Sequence, residues 1–213
     1  MAASDPAARV SSDAAERRTP PGKARMLSQF QRVGRDLFTR GLVASNTGNL
    51  SVRLGDRILI TRRSCQLGSL EEHDLVETGL VKNDRATPMA SADLAVHRAI
   101  YRLTPAQAIV HAHPPHAIAL SLAVAEIVPN CAEGLATVGE VPVLGEGGLA
   151  KAVDFAAKIA ASLKEHRAVM LHGHGSYAVG QLLEEAYHGT AMLEESSQVT
   201  CLLKSLQVSE AQR

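Results

Sequence analysis

The chain has 213 residues, 46% hydrophobic and 21% charged, enough to bury a sizeable core in one globular domain. Its 22 Lys and Arg balance 22 Asp and Glu, leaving no basic field for phosphate backbones or anionic lipid and arguing against nucleic-acid or membrane-surface partners. Aromatics supply only 3% with no Trp, whereas His numbers nine, so stacking on bases is disfavoured and the histidines become the place to look for chemistry.

Cys65, Cys131 and Cys201 are far apart and form no CxxC pair, which excludes a disulfide framework and a thiolate zinc site and fits a reducing cytoplasm. No apolar run approaches the roughly 20 residues of a membrane span, and the N-terminus lacks the apolar core of a secretory signal. A cytoplasmic protein is expected.

In chain order, residues 1–23 are rich in Ala, Ser, Asp, Arg and Pro without apolar periodicity and end in Pro20-Pro21-Gly22, which reads as a disordered tail ahead of a domain over 24–213. From Met26 the positions Met26, Leu27, Phe30, Val33, Leu37 and Phe38 recur at helical spacing, and Gly41 suits the left-handed turn that closes a helix. Leu50 to Arg53 and Arg57 to Thr61 flank Leu54-Gly55-Asp56 as a hairpin. Ser91 to Tyr101 predicts a helix with Ser91 as its cap. Ala108 to His113 alternates as a strand that ends at Pro114-Pro115, and His116 to Val124 follows as a helix. A short strand at Glu140 to Leu144, a helix over Leu149 to His166, a strand at Ala168 to Leu171 continued by Tyr177 to Val179, and a long helix from Leu182 to Leu206 complete the pattern. With no repeat and no internal boundary, a single α/β domain is the economical reading.

His111 and His113 lie two apart at the end of a predicted strand, so they project from one face and can share a metal. A catalytic zinc site keeps three protein ligands and an open position. The third donor is available from His172-Gly173-His174, where both imidazoles face one side if the segment stays extended. Ser45-Asn46-Thr47-Gly48-Asn49-Leu50-Ser51 places small hydroxyl and amide side chains around a glycine, a composition shared by anion cradles and ordinary turns.

Thr47-Gly48-Asn49-Leu50-Ser51-Val52-Arg53, His111-Ala112-His113-Pro114 and His174-Gly175-Ser176-Tyr177-Ala178-Val179-Gly180, in this order and spacing across Met26 to Leu206, resemble the class II aldolase/adducin family. The resemblance implies a three-layer α/β/α sandwich with a mixed central sheet, and Zn2+, or Mn2+ or Co2+ in its place, held by His111, His113 and His174 with His172 outside. It implies a homotetramer acting in carbohydrate metabolism on a small-molecule sugar phosphate. The reaction expected from it is aldol cleavage of a ketose phosphate such as L-fuculose 1-phosphate through a metal-stabilised enediolate. Epimerisation or dehydration on the same scaffold, and a non-enzymatic adducin-like module, are the alternatives.

Asp93 stands where the family's aldolases carry a catalytic Glu, shorter by one methylene, about 1.5 Å of reach; Glu133 is a second acid/base candidate. The substrate's anionic end is expected on Asn46, Thr47, Gly48, Asn49, Thr61 and Ser91. Two departures accompany these matches: Thr61-Arg62-Arg63-Ser64-Cys65 replaces a Thr-Pro-Ser-Gly loop, and Ala92 replaces a serine. Paired arginines can bind phosphate or carboxylate.

Overall fold

A computed structural model describes residues 21–145 and 155–211. Eight strands form one mixed sheet in the order β3-β2-β1-β4-β8-β7-β6-β5. They are β1 (Asn49–Leu54), β2 (Arg57–Thr61), β3 (Leu75–Gly79), β4 (Ala108–Ala112), β5 (Glu126–Ile127), β6 (Val141–Leu144), β7 (Ala168–Leu171) and β8 (Gly175–Gly180). The helices are α1 (Pro21–Thr39), α2 (Leu94–Leu103), α3 (Pro115–Ser121), α4 (Ala132–Thr137), α5 (Ala156–Ser162) and α6 (Leu183–Ala211). Every pairing is antiparallel except β6 with β7, the pair whose connection passes through α5, as a parallel register requires.

Alternation along the central strands sorts their side chains into two apolar layers. Ile109 of β4, Val169 and Leu171 of β7, and Tyr177 of β8 pack with Val96, Ile100 and Ile159 from α2 and α5. On the opposite face, Ala108, Val110 and Ala112 meet Phe30, Val33 and Leu37 of α1 and Leu183 and Ala186 of α6. Further along that face, Ala168, Met170 and Ala178 meet Ala117, Leu120 and Leu193. The result is the α/β/α sandwich with a mixed sheet expected from the family resemblance. β4 and β8 lie at its centre, buried on both sides, and this is where the histidines are carried.

Several boundaries differ from the sequence reading. The first helix begins at Pro21, so residues 21–23 belong to it; proline is tolerated in a first helical turn, where its missing N–H would have had no partner. Residues 1–20 lie outside the described residues. Ser91 is not the residue flanking α2, because the helix starts at Leu94; its Oγ accepts the Asp93 N–H at 3.2 Å and its carbonyl the Leu94 N–H at 3.1 Å, forming a turn that leads into the helix. The fourth strand stops at Ala112, one residue short of His113, and α3 runs from Pro115 to Ser121 rather than to Val124. The first part of the predicted Leu149 to His166 helix lies outside the described residues, and α5 ends at Ser162. Tyr177 to Val179 does not continue β7: it lies in a separate antiparallel strand, reached by a reversal at residues 172–174. Strands β3 and β5 and helix α4 were not anticipated; the last is one short turn capped by the Cys131 sulfur, which accepts the Gly134 N–H at 3.4 Å.

Helix α1 gives a direct test of this packing. Leu37 is fully buried against the sheet while the adjacent Phe38 is 52% exposed. Leu37→Ala is expected to cost about 2–5 kcal/mol and Phe38→Ala less than about 1 kcal/mol, read from urea unfolding midpoints. Equal losses would contradict the assigned helix face.

Candidate metal centre and its carboxylate

The reversal between β7 and β8 selects one histidine of the second pair. Gly173 takes φ +64°, a left-handed conformation that closes the three-residue turn, and the His174 N–H donates back to the Leu171 carbonyl at 3.0 Å. The His172 N–H instead bonds the Leu144 carbonyl of β6 at 2.9 Å. The side-chain nitrogens of His111, His113 and His174 offer ligand atoms all within 4.8 Å of one another, and His172 is not among them. Because the segment turns rather than staying extended, the two histidines no longer share a side.

His111 is the fixed member of the three. It is 2% exposed and pairs in register with Tyr177. Its Nδ1 lies 2.9 Å from the Ser176 carbonyl, which can only accept, so Nδ1 carries the proton and the Nε2 lone pair faces the cluster. His111 Nε2 and His113 Nε2 are 3.1 Å apart. At Gly175 an added Cβ would sit 2.5 Å from the Ala112 carbonyl oxygen and 3.2 Å from both imidazoles, so only glycine lets the start of β8 pass this close. Burial and mutual repulsion push the His113 imidazole down to about 3, and burial also lowers His111. Neutral imidazoles with converging lone pairs are the donor set that a divalent transition metal takes. A backbone carbonyl on the far ring nitrogen, as Ser176 supplies to His111, is the usual orienting partner of such a ligand.

Asp93 stands beside this cluster, with Oδ2 at 3.6 Å from His111 Nε2 and accepting a hydrogen bond from Asn49 Nδ2 at 2.8 Å. Burial pulls its pKa up, but the hydrogen bond donated by the Asn49 amide is among the contacts that outweigh it and hold the carboxyl below its ordinary range. Tyr177 stacks on the His111 ring, centroids 4.3 Å apart and planes 14° from parallel. Its buried hydroxyl has no well-formed hydrogen bond; burial, and then the Asp93 charge, raises its pKa well above the usual value. One turn beyond Asp93, the fully buried His97 places Nδ1 2.7 Å from Ser51 Oγ, which lies 2.7 Å from Tyr101 Oη. This polar chain behind the carboxylate was not anticipated. Its only sequence signal was His97 one helical turn after Asp93.

A cavity of about 400 Å3 opens over the cluster, and Asn46, Thr47, Gly48 and Asn49 line one side of it. Thr47 Oγ1 is occupied by its own turn, bonding the Ala44 N–H and carbonyl at 2.9 Å each. Ser91, Ala92, Arg62, Arg63 and Ser64 line the rest. Thr61 does not reach the cavity: it is fully buried, and its Oγ1 accepts the Leu50 N–H at 3.1 Å. Glu133 lies exposed in the first turn of α4 and lines no part of this cavity, so the structure does not bring it to the three histidines.

A family model described as the class II aldolase and adducin N-terminal domain matches residues 28–201. The chain belongs to the class II aldolase and adducin family. Among solved structures, the L-fuculose-1-phosphate aldolase of Thermus thermophilus is 40% identical with a TM-score of 0.80, over 86% of this chain and 96% of that one. Among curated relatives, an L-fuculose phosphate aldolase of Methanocaldococcus jannaschii is 32% identical over 82% of this chain and 94% of its own length. A 3-oxo-tetronate 4-phosphate decarboxylase of Haemophilus influenzae is 28% identical over 83% and 87%. The chain spans 17% of a probable bifunctional methylthioribose-1-phosphate isomerase/methylthioribulose-1-phosphate dehydratase of Nocardia farcinica, 38% identical over 95 residues. Class II aldolase family members therefore include enzymes with different reactions on phosphorylated substrates. No described helix is long and apolar enough to cross a membrane.

The buried histidine behind the site makes a pH prediction. Burial, only partly opposed by Asp93, holds His97 down to about 3, whereas a histidine in the unfolded chain takes its proton near pH 6.5. Between those values the unfolded state binds a proton that the native state refuses, so stability falls as pH falls through that window, by up to about 1.4 kcal/mol per unit from His97. Urea midpoints of metal-free protein from pH 7 to 4.5 should decline more steeply for wild type than for His97→Gln; parallel declines would contradict the buried neutral imidazole.

Proposed function

We propose that the protein is a zinc-dependent lyase, or one using another divalent metal, that cleaves a ketose phosphate such as L-fuculose 1-phosphate. The observation that carries this reading is the convergence of His111, His113 and His174 with the carboxylate of Asp93 3.6 Å from His111 Nε2. His111, His113 and His174 would hold a divalent cation, which would supply the Lewis-acid polarisation of a substrate carbonyl and hydroxyl that aldol cleavage needs. The residues supply the remainder. Ser176 keeps His111 in its ligating tautomer. Asn49 orients Asp93, which moves a proton at the substrate oxygen or carbon. The cavity over the cluster takes the sugar chain, with Asn46, Gly48 and Ser91 on its wall.

The adducin-like module without chemistry is disfavoured, because a buried carboxylate and three converging imidazoles are expensive to maintain where nothing is bound. Epimerisation and dehydration draw on the same anion. So does decarboxylation of a 3-oxo acid phosphate, favoured as the second reading by the Haemophilus relative. Product analysis on metal-loaded protein separates them: triose or aldehyde release for the lyase, an isomeric pentose for an epimerase, water loss for a dehydratase, carbon dioxide for a decarboxylase.

The same reading includes a homotetramer in the cytoplasm. Val199, Leu202, Leu203 and Leu206 are exposed on α6, an apolar surface that a second copy can cover, and the three cysteines are free. Light scattering at micromolar concentration should give four times the chain mass; a monomer mass would refute the assembly.

Replacing His111, His113 or His174 by Ala should lower bound metal from about one ion per chain to a small fraction, while His172→Ala keeps it. Asp93→Asn should retain the metal and lose roughly 10²–10⁴-fold in turnover. Unchanged turnover in Asp93→Asn would remove Asp93 from the reaction.

A further inference from the structure

We propose that Arg63 is the residue that takes the anionic end of the substrate, and that Arg62 serves to fix the loop presenting it. The proposal builds on the lyase reading only in that the cavity over the three histidines receives an anionic ligand. In sequence the two arginines are adjacent and equivalent. In the structure they are not.

The Arg62 guanidinium donates from Nη2 and Nε to Asp74 Oδ1, at 2.7 and 3.1 Å. Asp74 is buried, and its other oxygen accepts the Glu71 N–H at 3.1 Å, so the charge of Arg62 is neutralised and its side chain immobilised. The backbone is held equally firmly. The Arg62 N–H bonds the Asp74 carbonyl at 2.7 Å, the Arg63 N–H the Met89 carbonyl at 3.0 Å, and Arg62 bridges to Ala90. Ser64 follows with φ +59°, a left-handed turn for a residue with a side chain, which these contacts over-determine.

On this rigid support Arg63 is exposed, lines the cavity, and makes no side-chain hydrogen bond or ion pair among the described residues. Asp93, the carboxylate on the cavity wall, is engaged by Asn49 and lies beside His111. Arg63 is thus the arginine of the cavity that no carboxylate pairs, on a loop whose backbone is already ordered, and a ligand has only the Arg63 side chain to fix on binding. A guanidinium reads an oxyanion through two parallel donors, and both a phosphate monoester and a carboxylate satisfy it.

Calorimetric titration of inorganic phosphate, and separately of malonate, into the metal-free full chain tests the assignment without any need for turnover. One of the two anions should bind saturably to wild type, and which one does tells whether the substrate's end is a phosphate or a carboxylate. Arg63→Gln should weaken that binding roughly 10- to 100-fold, Arg63→Lys should retain part of it, and Arg35→Gln, an equal charge change on the exposed face of α1, should match wild type. Equal affinity in wild type and Arg63→Gln, or no saturable binding of either anion, would overturn the proposal. A chain that binds phosphate through Arg63 yet cleaves no ketose phosphate would refute the lyase reading and leave this one standing. A cleaving enzyme whose KM is unchanged by Arg63→Gln would do the reverse.

Discussion

The hydrogen bond from His111 Nδ1 to the Ser176 carbonyl, 2.9 Å long across the β4–β8 pairing, is the constraint on which the site depends. It converts sheet register into chemistry, since the register decides which carbonyl the imidazole meets, and the carbonyl decides which nitrogen is left with a lone pair. A slip of one residue would turn His111 to the other face of the sheet, among the alanines that pack on α1 and α6. Buried apolar layers on both faces of β4 make such a slip costly. The fold thereby holds a ligand geometry that the histidines alone could not keep.

Asp93 lies partly buried beside the His111 ring. Removal from water pulls its pKa upward, and the hydrogen bond from Asn49 is among the contacts that hold it below its ordinary range. Four of the five buried side-chain atoms without a partner among the described residues, Asn49 Oδ1, His97 Nε2, Ser176 Oγ and Tyr177 Oη, belong to residues packed around this carboxylate and the His111 ring. Unpaired buried groups cost about 1–3 kcal/mol each, and their concentration in one place marks a region where stability has been surrendered for polarity in a low-dielectric pocket. The arginine loop shows the complementary device: one charge spent on Asp74 keeps the next one free and aimed.

The histidine pair at the end of β4, the first helix with its closing Gly41, the hairpin and the long last helix were legible in the sequence, because apolar period and turn chemistry agree there. The metal-ligand assignment at His174 came from family resemblance and not from spacing, which left His172 open. The turn at Gly173 explains why: residues two apart share a face only while a strand remains extended. Thr61 and Glu133 were misplaced for a different reason. A hydroxyl next to a cavity can turn inward to cap a strand N–H, and an acidic residue in an irregular stretch has no periodicity to fix its direction. The roles of Tyr177 and of the His97-Ser51-Tyr101 chain depend on contacts between elements distant in sequence, which local pattern does not encode. The division of labour between Arg62 and Arg63 depends equally on Asp74, eleven positions beyond Arg63, whose carboxylate meets only the first of them.

X-ray absorption spectroscopy of the zinc-loaded chain, with His172→Ala and His174→Ala measured alongside, tests the central claim most directly. The account predicts nitrogen or oxygen neighbours at roughly 2.0–2.1 Å and the multiple-scattering signature of three imidazoles in wild type and His172→Ala, and a zinc signal cut to a small fraction in His174→Ala. Three imidazoles surviving in His174→Ala, or sulfur at roughly 2.3 Å, would contradict it.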